Sequence, residues 1–161
     1  MVNQLEGSIK PVTDLLDSLG VAYKIFKHFT AVNSLEQAAA ERSQQPEQVV
    51  RSILFRISNG KYVLVLIAGP EQLSWTKLRR QLGLSRISLA SPEEVLRVTG
   101  YQIGAVTPVG VSPDIPILVD RSVLAVDEIS IGSGVRGVAI ILRSRELVQA
   151  LGDVELGEFK P

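Results

Sequence analysis

The chain of 161 residues contains no cysteine and only one histidine, His28. Without cysteine the protein cannot form disulfides, thiolate metal sites or a cysteine nucleophile. A single histidine excludes a multi-histidine metal site and leaves only His28 for a Ser-His-Asp triad. No serine lies in the nucleophile-elbow pattern that such a triad commonly uses.

Nucleotide-binding motifs are missing as well. There is no P-loop, and no G-x-G-x-x-G follows a predicted strand. The segment 132–137 imitates the glycine spacing, but it precedes a β pattern instead of a helix. We therefore expect neither a metal nor an organic cofactor.

An excess of charge of one sign is also absent, because 17 Lys+Arg balance 17 Asp+Glu. Any nucleic-acid contact must therefore be local. No apolar stretch reaches the roughly 20 residues that a membrane span needs. The first residues lack the basic start and apolar run of a secretion signal. We expect a cytoplasmic protein, with neither a membrane nor DNA as a partner.

Length and composition predict one globular domain over residues 1–161. The hydrophobic share is 45% and the charged share 21%, which are ordinary values for a folded domain of this size. No internal repeat, linker or low-complexity segment marks a boundary.

Hydrophobic spacing and turn signals predict an α+β fold, with a mixed, mostly antiparallel sheet that curls into a partial barrel flanked by helices. Asn59–Gly60 between two apolar runs is a strong hairpin signal, and the second run indicates a central strand. The tail 152–161 is expected to fray. Predicted helices cover 8–19, 35–42, 74–82, 91–100 and 144–151, and predicted strands cover 21–28, 49–58, 61–68, 86–89, 115–119, 126–131 and 137–142.

The most unusual segment is the glycine- and proline-rich loop 99–110, TGYQIGAVTPVG. Glycine lets a backbone approach a ligand closely, and consecutive free N–H groups can bind a carbonyl or phosphate oxygen. The alternative is a purely structural crossover between two strands.

This loop resembles the signature loop of the YbaK / prolyl-tRNA synthetase-associated (ProX-like) aminoacyl-tRNA editing domain family. The family's glycine-x-x-x-proline element falls on Gly104 and Pro108. The resemblance covers about residues 15–151. Its other parts are EQVVRSILF, LSWTKLRRQLGLSRISLASPEEV, IPILVDRSVL and GSGVRGVAI.

The resemblance implies hydrolysis of the ester that joins a wrong amino acid to the tRNA 3′ end. The family's loop backbone holds the aminoacyl carbonyl, which here implies Gly104, Ala105, Val106 and Thr107, with Pro108 fixing the bend. An ester is already activated, so polarising its carbonyl and placing a water can suffice without a protein nucleophile. The implied partners are the aminoacyl-tRNA 3′ end and an aminoacyl-tRNA synthetase.

Two positions depart from the family pattern. Arg51 stands where members usually carry lysine, and Ala139 stands where some free-standing members carry an acid. Arginine can bind a phosphate or carbonyl oxygen bidentately, but it cannot serve as a general base at neutral pH. Arg51 and Gly104 are the catalytic candidates.

Four further residues border the pocket if the resemblance holds. Phe26 and His28 belong to the strand beside it, and Ser133 and Gly134 to a turn close to it. Each has a structural alternative: Phe26 in the core, His28 bonded at the end of its strand, and Ser133 and Gly134 in an ordinary hairpin turn.

The densest basic group is a candidate contact for the tRNA. Lys77 and Arg80 share one face of a predicted helix, although a solvated helix face is the ordinary interpretation. Arg136 would form a phosphate-sized cationic spot if it lay near Arg51. Two rival functions stay open: a non-catalytic aminoacyl- or nucleotide-binding module, and a hydrolase of small esters or thioesters unrelated to tRNA.

Overall fold

The structure is a computed structural model that describes residues 8–161. Residues 1–7 of the predicted domain lie outside the described residues. The α-helices in this range are α1 (Lys10–Ser18), α2 (Leu35–Glu41), α3 (Trp75–Leu82), α4 (Pro92–Thr99) and α5 (Ser144–Leu151). The strands are β1 (Tyr23–Lys27), β2 (Val50–Ser58), β3 (Lys61–Ala68), β4 (Ser88–Leu89), β5 (Ile117–Asp120), β6 (Glu128–Gly132), β7 (Val138–Arg143) and β8 (Val154–Gly157).

The strands form two sheets. The smaller sheet has the order β1-β7-β6 and is antiparallel throughout. The larger has the order β4-β2-β3-β5-β8, with β3–β5 and β5–β8 parallel and the other pairs antiparallel. A parallel bridge between Val49 and Ser130 links the two sheets. The predicted mixed, mostly antiparallel fold is confirmed, with the strands divided between two sheets.

The main hydrophobic core lies between the sheets. Leu64 and Leu66 of β3 meet Ile129 and Ile140 of the smaller sheet there, and Leu16 of α1 covers one side. A second cluster packs α3 against the opposite face of β3, so this strand is covered on both faces as predicted. Among residues 8–161, no helix is both long and apolar enough to cross a membrane.

Local sequence signals explain where the helices begin and end. The Oγ of Ser34 accepts the N–H of Gln37 at the start of α2 (3.0 Å). Ser91 and Glu94 form a capping box at the start of α4, and Gly100 ends that helix in the left-handed conformation. The predicted hairpin between β2 and β3 is also present.

The prediction that residues 152–161 fray is wrong. β8 pairs in parallel with β5, and Phe159 is fully buried in the second cluster. The N–H of Phe159 donates to the buried Asp120 carboxylate (2.6 Å), and its carbonyl accepts the N–H of Ser74 (2.5 Å). The tail is therefore part of the larger sheet, and it reaches the first turn of α3.

Glu94 gives the fold a defined acid sensitivity. The N–H of Ser91 (3.0 Å) and the hydroxyl of Tyr62 (2.7 Å) donate to its carboxylate. These bonds, with the nearby charge of Arg56, lower the pKa of Glu94 from 4.5 to about 2. A carboxyl whose pKa is depressed in the folded state stabilises that state above its unfolded pKa, and the contribution disappears as the pH falls towards the folded value.

We predict that Glu94→Gln lowers the free energy of unfolding at pH 6, and that the difference from wild type shrinks between pH 4.5 and 2. Urea denaturation across this range measures it. Glu93→Gln removes an exposed charge from the same helical turn and is the matched control. A difference of equal size at pH 6 and pH 2.5 would contradict the prediction.

Candidate functional site

A cavity of about 820 Å³ lies where the two sheets meet. The segment 28–38 and Arg42 form one wall, and the beginning of β2 forms another. The loop residues Ile103, Gly104 and Val106 and the turn between β6 and β7 complete it. The structure thus brings four separate parts of the chain to one opening.

The glycine loop contributes Ile103, Gly104 and Val106 to this cavity, and Gly104 and Val106 belong to the predicted carbonyl-binding backbone. Within residues 8–161, neither of their N–H groups has a hydrogen-bond partner. The N–H of Ala105 is already bound to the carbonyl of Gln102 (2.9 Å), so the expected role of Ala105 in carbonyl binding needs correction. The carbonyl of Ala105 accepts the N–H of Gly134 (2.8 Å), which ties the loop to the β6–β7 turn.

Thr107 and Pro108 lie behind the cavity wall. Both are buried, and neither lines the cavity. The Oγ1 of Thr107 accepts the N–H of Val109 (3.2 Å), which closes a local turn. Both residues thus support the loop from behind the wall, and their predicted substrate contacts stay a prediction.

Gly132, which also lines the cavity, determines how closely the loop approaches β6. A Cβ at this position would lie 2.0 Å from the carbonyl oxygen of Val106 and 3.2 Å from that of Ala105. Glycine is required because the two backbones are in direct contact there. The sequence suggested only a turn at 132–134, since this contact depends on the tertiary fold.

Arg51 extends from β2 to the same cavity. One Nη donates to the backbone carbonyl of Glu71, while the Nε is buried with no partner among residues 8–161. Burial lowers the pKa of the Arg51 guanidinium, and the charge of Glu71 partly offsets this. Since no carboxylate in the described chain forms a salt bridge with Arg51, its charge remains available to an anionic ligand.

Two more arginines, Arg136 and Arg42, line the cavity. The Nε of Arg136 donates to the carbonyl of Ile103 (3.0 Å), which holds this side chain against the glycine loop. No Asp or Glu is among the lining residues within 8–161. Three guanidiniums therefore surround a space that contains no protein carboxylate.

The remaining predicted residues lie away from the cavity or are already bonded. Phe26 does not line it and packs edge-on against His28, with the ring centroids 4.9 Å apart. The hydroxyl of Ser133 donates to the carbonyl of Val138 (2.7 Å). Gly134 has φ +91° and lies against Tyr101. These contacts match the structural alternatives for Ser133 and Gly134, whereas Phe26 is half-buried and belongs to neither hydrophobic cluster.

The predicted basic helix lies in a different place. Lys77 and Arg80 line a separate groove of about 490 Å³, together with Arg121 and Glu158. This groove and the cavity of Arg51 have no lining residue in common. Among residues 8–161, no group of three or more His, Asp or Glu side chains is placed to hold a metal ion.

The fold and the site together define a compact mixed α/β domain with a cationic cleft beside a glycine loop. Residues 30–150 match the family model for the aminoacyl-tRNA editing domain, and the chain belongs to this family. The family resemblance predicted from the loop and strand motifs is therefore confirmed.

The relatives include proline–tRNA ligases. The enzyme of Geobacillus kaustophilus is 34% identical over 93 residues, which is 58% of this chain and 16% of the ligase. That of Streptococcus pneumoniae is 35% identical over 106 residues, 66% of this chain and 17% of the ligase. The chain thus spans about one sixth of these relatives. A solved structure of a candidate trans-editing enzyme for prolyl-tRNA synthetase is 26% identical with a TM-score of 0.84, covering 95% of this chain and 96% of that one.

Proposed function

We propose that this protein is a deacylase that hydrolyses the ester of a mischarged aminoacyl-tRNA. Water adds to the ester carbonyl and the acyl C–O bond breaks, which releases the amino acid and restores the terminal ribose hydroxyl of the tRNA. The loop N–H groups of Gly104 and Val106 polarise the carbonyl. Arg51 and Arg136 bind the terminal phosphate and hold the ester beside the loop.

One observation carries this proposal: the same cavity is lined by N–H groups that have no hydrogen-bond partner within residues 8–161 and by guanidiniums that form no salt bridge within that range. Backbone donors at a developing oxyanion are a large source of rate enhancement in acyl transfer. The guanidiniums fit a ligand that is anionic at one end. Since the ligase relatives are synthetases, a prolyl-tRNA synthetase is the candidate partner that would supply the charged tRNA.

A second candidate function is binding of the aminoacylated end without hydrolysis. The specific observation in its favour is that the cavity residues within 8–161 offer no free base. Arginine does not release its proton at neutral pH, and both ring nitrogens of His28 are engaged, with Glu41 at 3.0 Å and Arg42 at 3.1 Å. Hydrolysis must then rely on carbonyl polarisation and on a water that the substrate or backbone orients.

We predict that Arg51→Ala lowers kcat/KM for deacylation by about 10- to 100-fold, because a hydrogen bond to a charged group contributes about 1.5–3 kcal/mol. The assay follows loss of label from tRNA charged with alanine, cysteine, serine or proline in separate reactions. Arg51→Lys keeps the charge and is expected to retain part of the activity or to raise it.

Arg56→Ala is the matched control, since Arg56 lies on the same strand and pairs with Glu94 outside the cavity. It should deacylate at the wild-type rate. Unchanged activity in Arg51→Ala would remove Arg51 from the mechanism. Binding of charged tRNA with no turnover would favour the binding module, and turnover of free esters without response to tRNA would favour a small-ester hydrolase.

A further inference from the structure

Arg42 lines the cavity beside Arg51 and Arg136, and the proposed hydrolysis does not use it. It follows the last residue of α2, and its side chain is held at two points. The Nε donates to the Nε2 of His28 (3.1 Å), and one Nη donates to the Oγ of the buried Ser130 (2.8 Å). The second Nη makes no hydrogen bond within residues 8–161.

The bond from Arg42 also assigns the protonation of His28. A guanidinium can only donate, so the Nε2 of His28 must accept, and the proton of the neutral ring lies on Nδ1. That Nδ1 donates to the Oε1 of Glu41 (3.0 Å), and the Oε2 of Glu41 accepts the amide of Gln37 (2.8 Å). The side chain of His28 is fully buried. Hydrogen bonds therefore hold both ring nitrogens of His28, and its Nε2 accepts from Arg42.

The charge of Arg42 is not neutralised by direct contact with a carboxylate of the described chain. Burial lowers the pKa of its guanidinium, and the charge of Glu41 offsets this in part. A half-buried cation without a counter-ion is costly unless a ligand supplies the anion. Arg51 shares this condition in the same cavity, and Arg136 adds an exposed third cation that forms no salt bridge within residues 8–161.

We propose that Arg42 binds a backbone phosphate of the single-stranded tRNA 3′ end, and that His28 is its positioning residue. This inference rests on the proposed function for the identity of the ligand. A phosphate is the group that fits, because an aminoacyl ester has no free α-carboxylate while its RNA carries one negative charge per nucleotide. Arg51 and Arg136 bind the terminal phosphate in the proposed function, and Arg42 binds a neighbouring phosphate from the same cavity.

The test is the affinity for a short unacylated RNA that ends in CCA, labelled with a fluorophore at its 5′ end and titrated at several salt concentrations. Arg42→Met should bind about 10-fold more weakly at low salt. Its slope of log K against log salt should fall by about 0.7, the value for one phosphate on a single strand. Arg42→Lys keeps the slope and loses a few-fold in affinity.

Arg145→Met is the control for charge, because Arg145 is exposed on α5 and lies outside the cavity. It should bind as wild type does. A wild-type slope and affinity in Arg42→Met would overturn the proposal. Competition by inorganic phosphate at the concentration that the RNA requires would also overturn it, in favour of a free-phosphate site. Thermal melts verify that each variant folds. If Arg42→Met does not fold, Arg42→Gln replaces it, and a wild-type slope and affinity in that variant overturn the proposal.

The role of His28 is tested by a double-mutant cycle. His28→Gln and Ser130→Ala should each weaken RNA binding several-fold alone, with no further loss in the Arg42→Met background. A loss of equal size in both backgrounds would mean that His28 is merely structural. RNA binding with the expected slope but no deacylation would reject the proposed function alone, whereas deacylation that persists with unaltered RNA binding in Arg42→Met would reject this inference alone.

Discussion

Replacing Gly132 with alanine is expected to lower deacylation by about 100-fold or more, because a displacement of about 1 Å at a positioned group can cost that much. The same substitution should lower the free energy of unfolding by about 1–3 kcal/mol, the usual cost of overpacking. Gly132 makes no proposed contact with the substrate. Its effect comes entirely from the loop that it allows to approach.

The clash that an alanine at position 132 would create cannot be removed by small adjustments. The added Cβ would lie 2.0 Å from the carbonyl oxygen of Val106 and 2.8 Å from its carbonyl carbon. Both atoms belong to backbone, so no side-chain rotation removes the clash. Either the loop 104–107 moves outward, or β6 shifts against β7, where Gly132 pairs with Ala139. A shift of the loop carries the N–H groups of Gly104 and Val106 away from the ester.

Gly60→Ala is the control for this substitution. Gly60 has φ +72°, with nothing within 4 Å of an added Cβ, so alanine there meets backbone strain and no clash. That strain costs about 1–2 kcal/mol, which makes the two variants similar in stability. Gly60→Ala should keep wild-type kcat. If folded Gly132→Ala does so too, the loop amides do not bind the carbonyl.

The parts of the fold that the sequence predicts well are those with local signals. The cap at Ser91, the stop at Gly100 and the hairpin at Asn59–Gly60 each depend on residues within one or two turns of chain. No such local signal marks the tail 152–161 as a strand. β8 has four residues, and it forms because β5 offers an open edge more than thirty residues earlier in the chain, as the pairing of Ile117 with Val154 shows.

The same distinction separates the site residues. The loop around Gly104 is unusual in composition, and a family motif covers it, so the sequence singled it out. Arg42 lies in an ordinary polar run at the end of a helix, and its partners His28 and Ser130 are 14 and 88 residues away. Only the tertiary fold shows that these three side chains meet, with Arg42 and His28 lining the cavity and Ser130 buried behind them.

Replacing Phe159 with alanine is the second substitution with a large expected effect, this time on stability. Truncation of a buried phenylalanine costs about 3–5 kcal/mol. Phe159 is fully buried against Phe55, Val65 and Leu118 on the outer face of β3. Its backbone also forms hydrogen bonds with Asp120 at the end of β5 and with Ser74 at the start of α3. Loss of the ring therefore also weakens the contact between these two elements. Urea denaturation monitored by far-UV circular dichroism measures the change.

Leu156→Ala provides the comparison, because Leu156 lies three residues earlier and is 56% exposed. An exposed substitution away from special features changes stability by about 0.5 kcal/mol or less. The tail also approaches the site: Lys160 pairs with the Glu71 side chain (3.3 Å), and the carbonyl of Glu71 accepts the Arg51 guanidinium. Phe159→Ala should therefore lower kcat/KM even at temperatures where the variant is fully folded. Equal stability of Phe159→Ala and Leu156→Ala would mean that the tail does not belong to the folded core in solution.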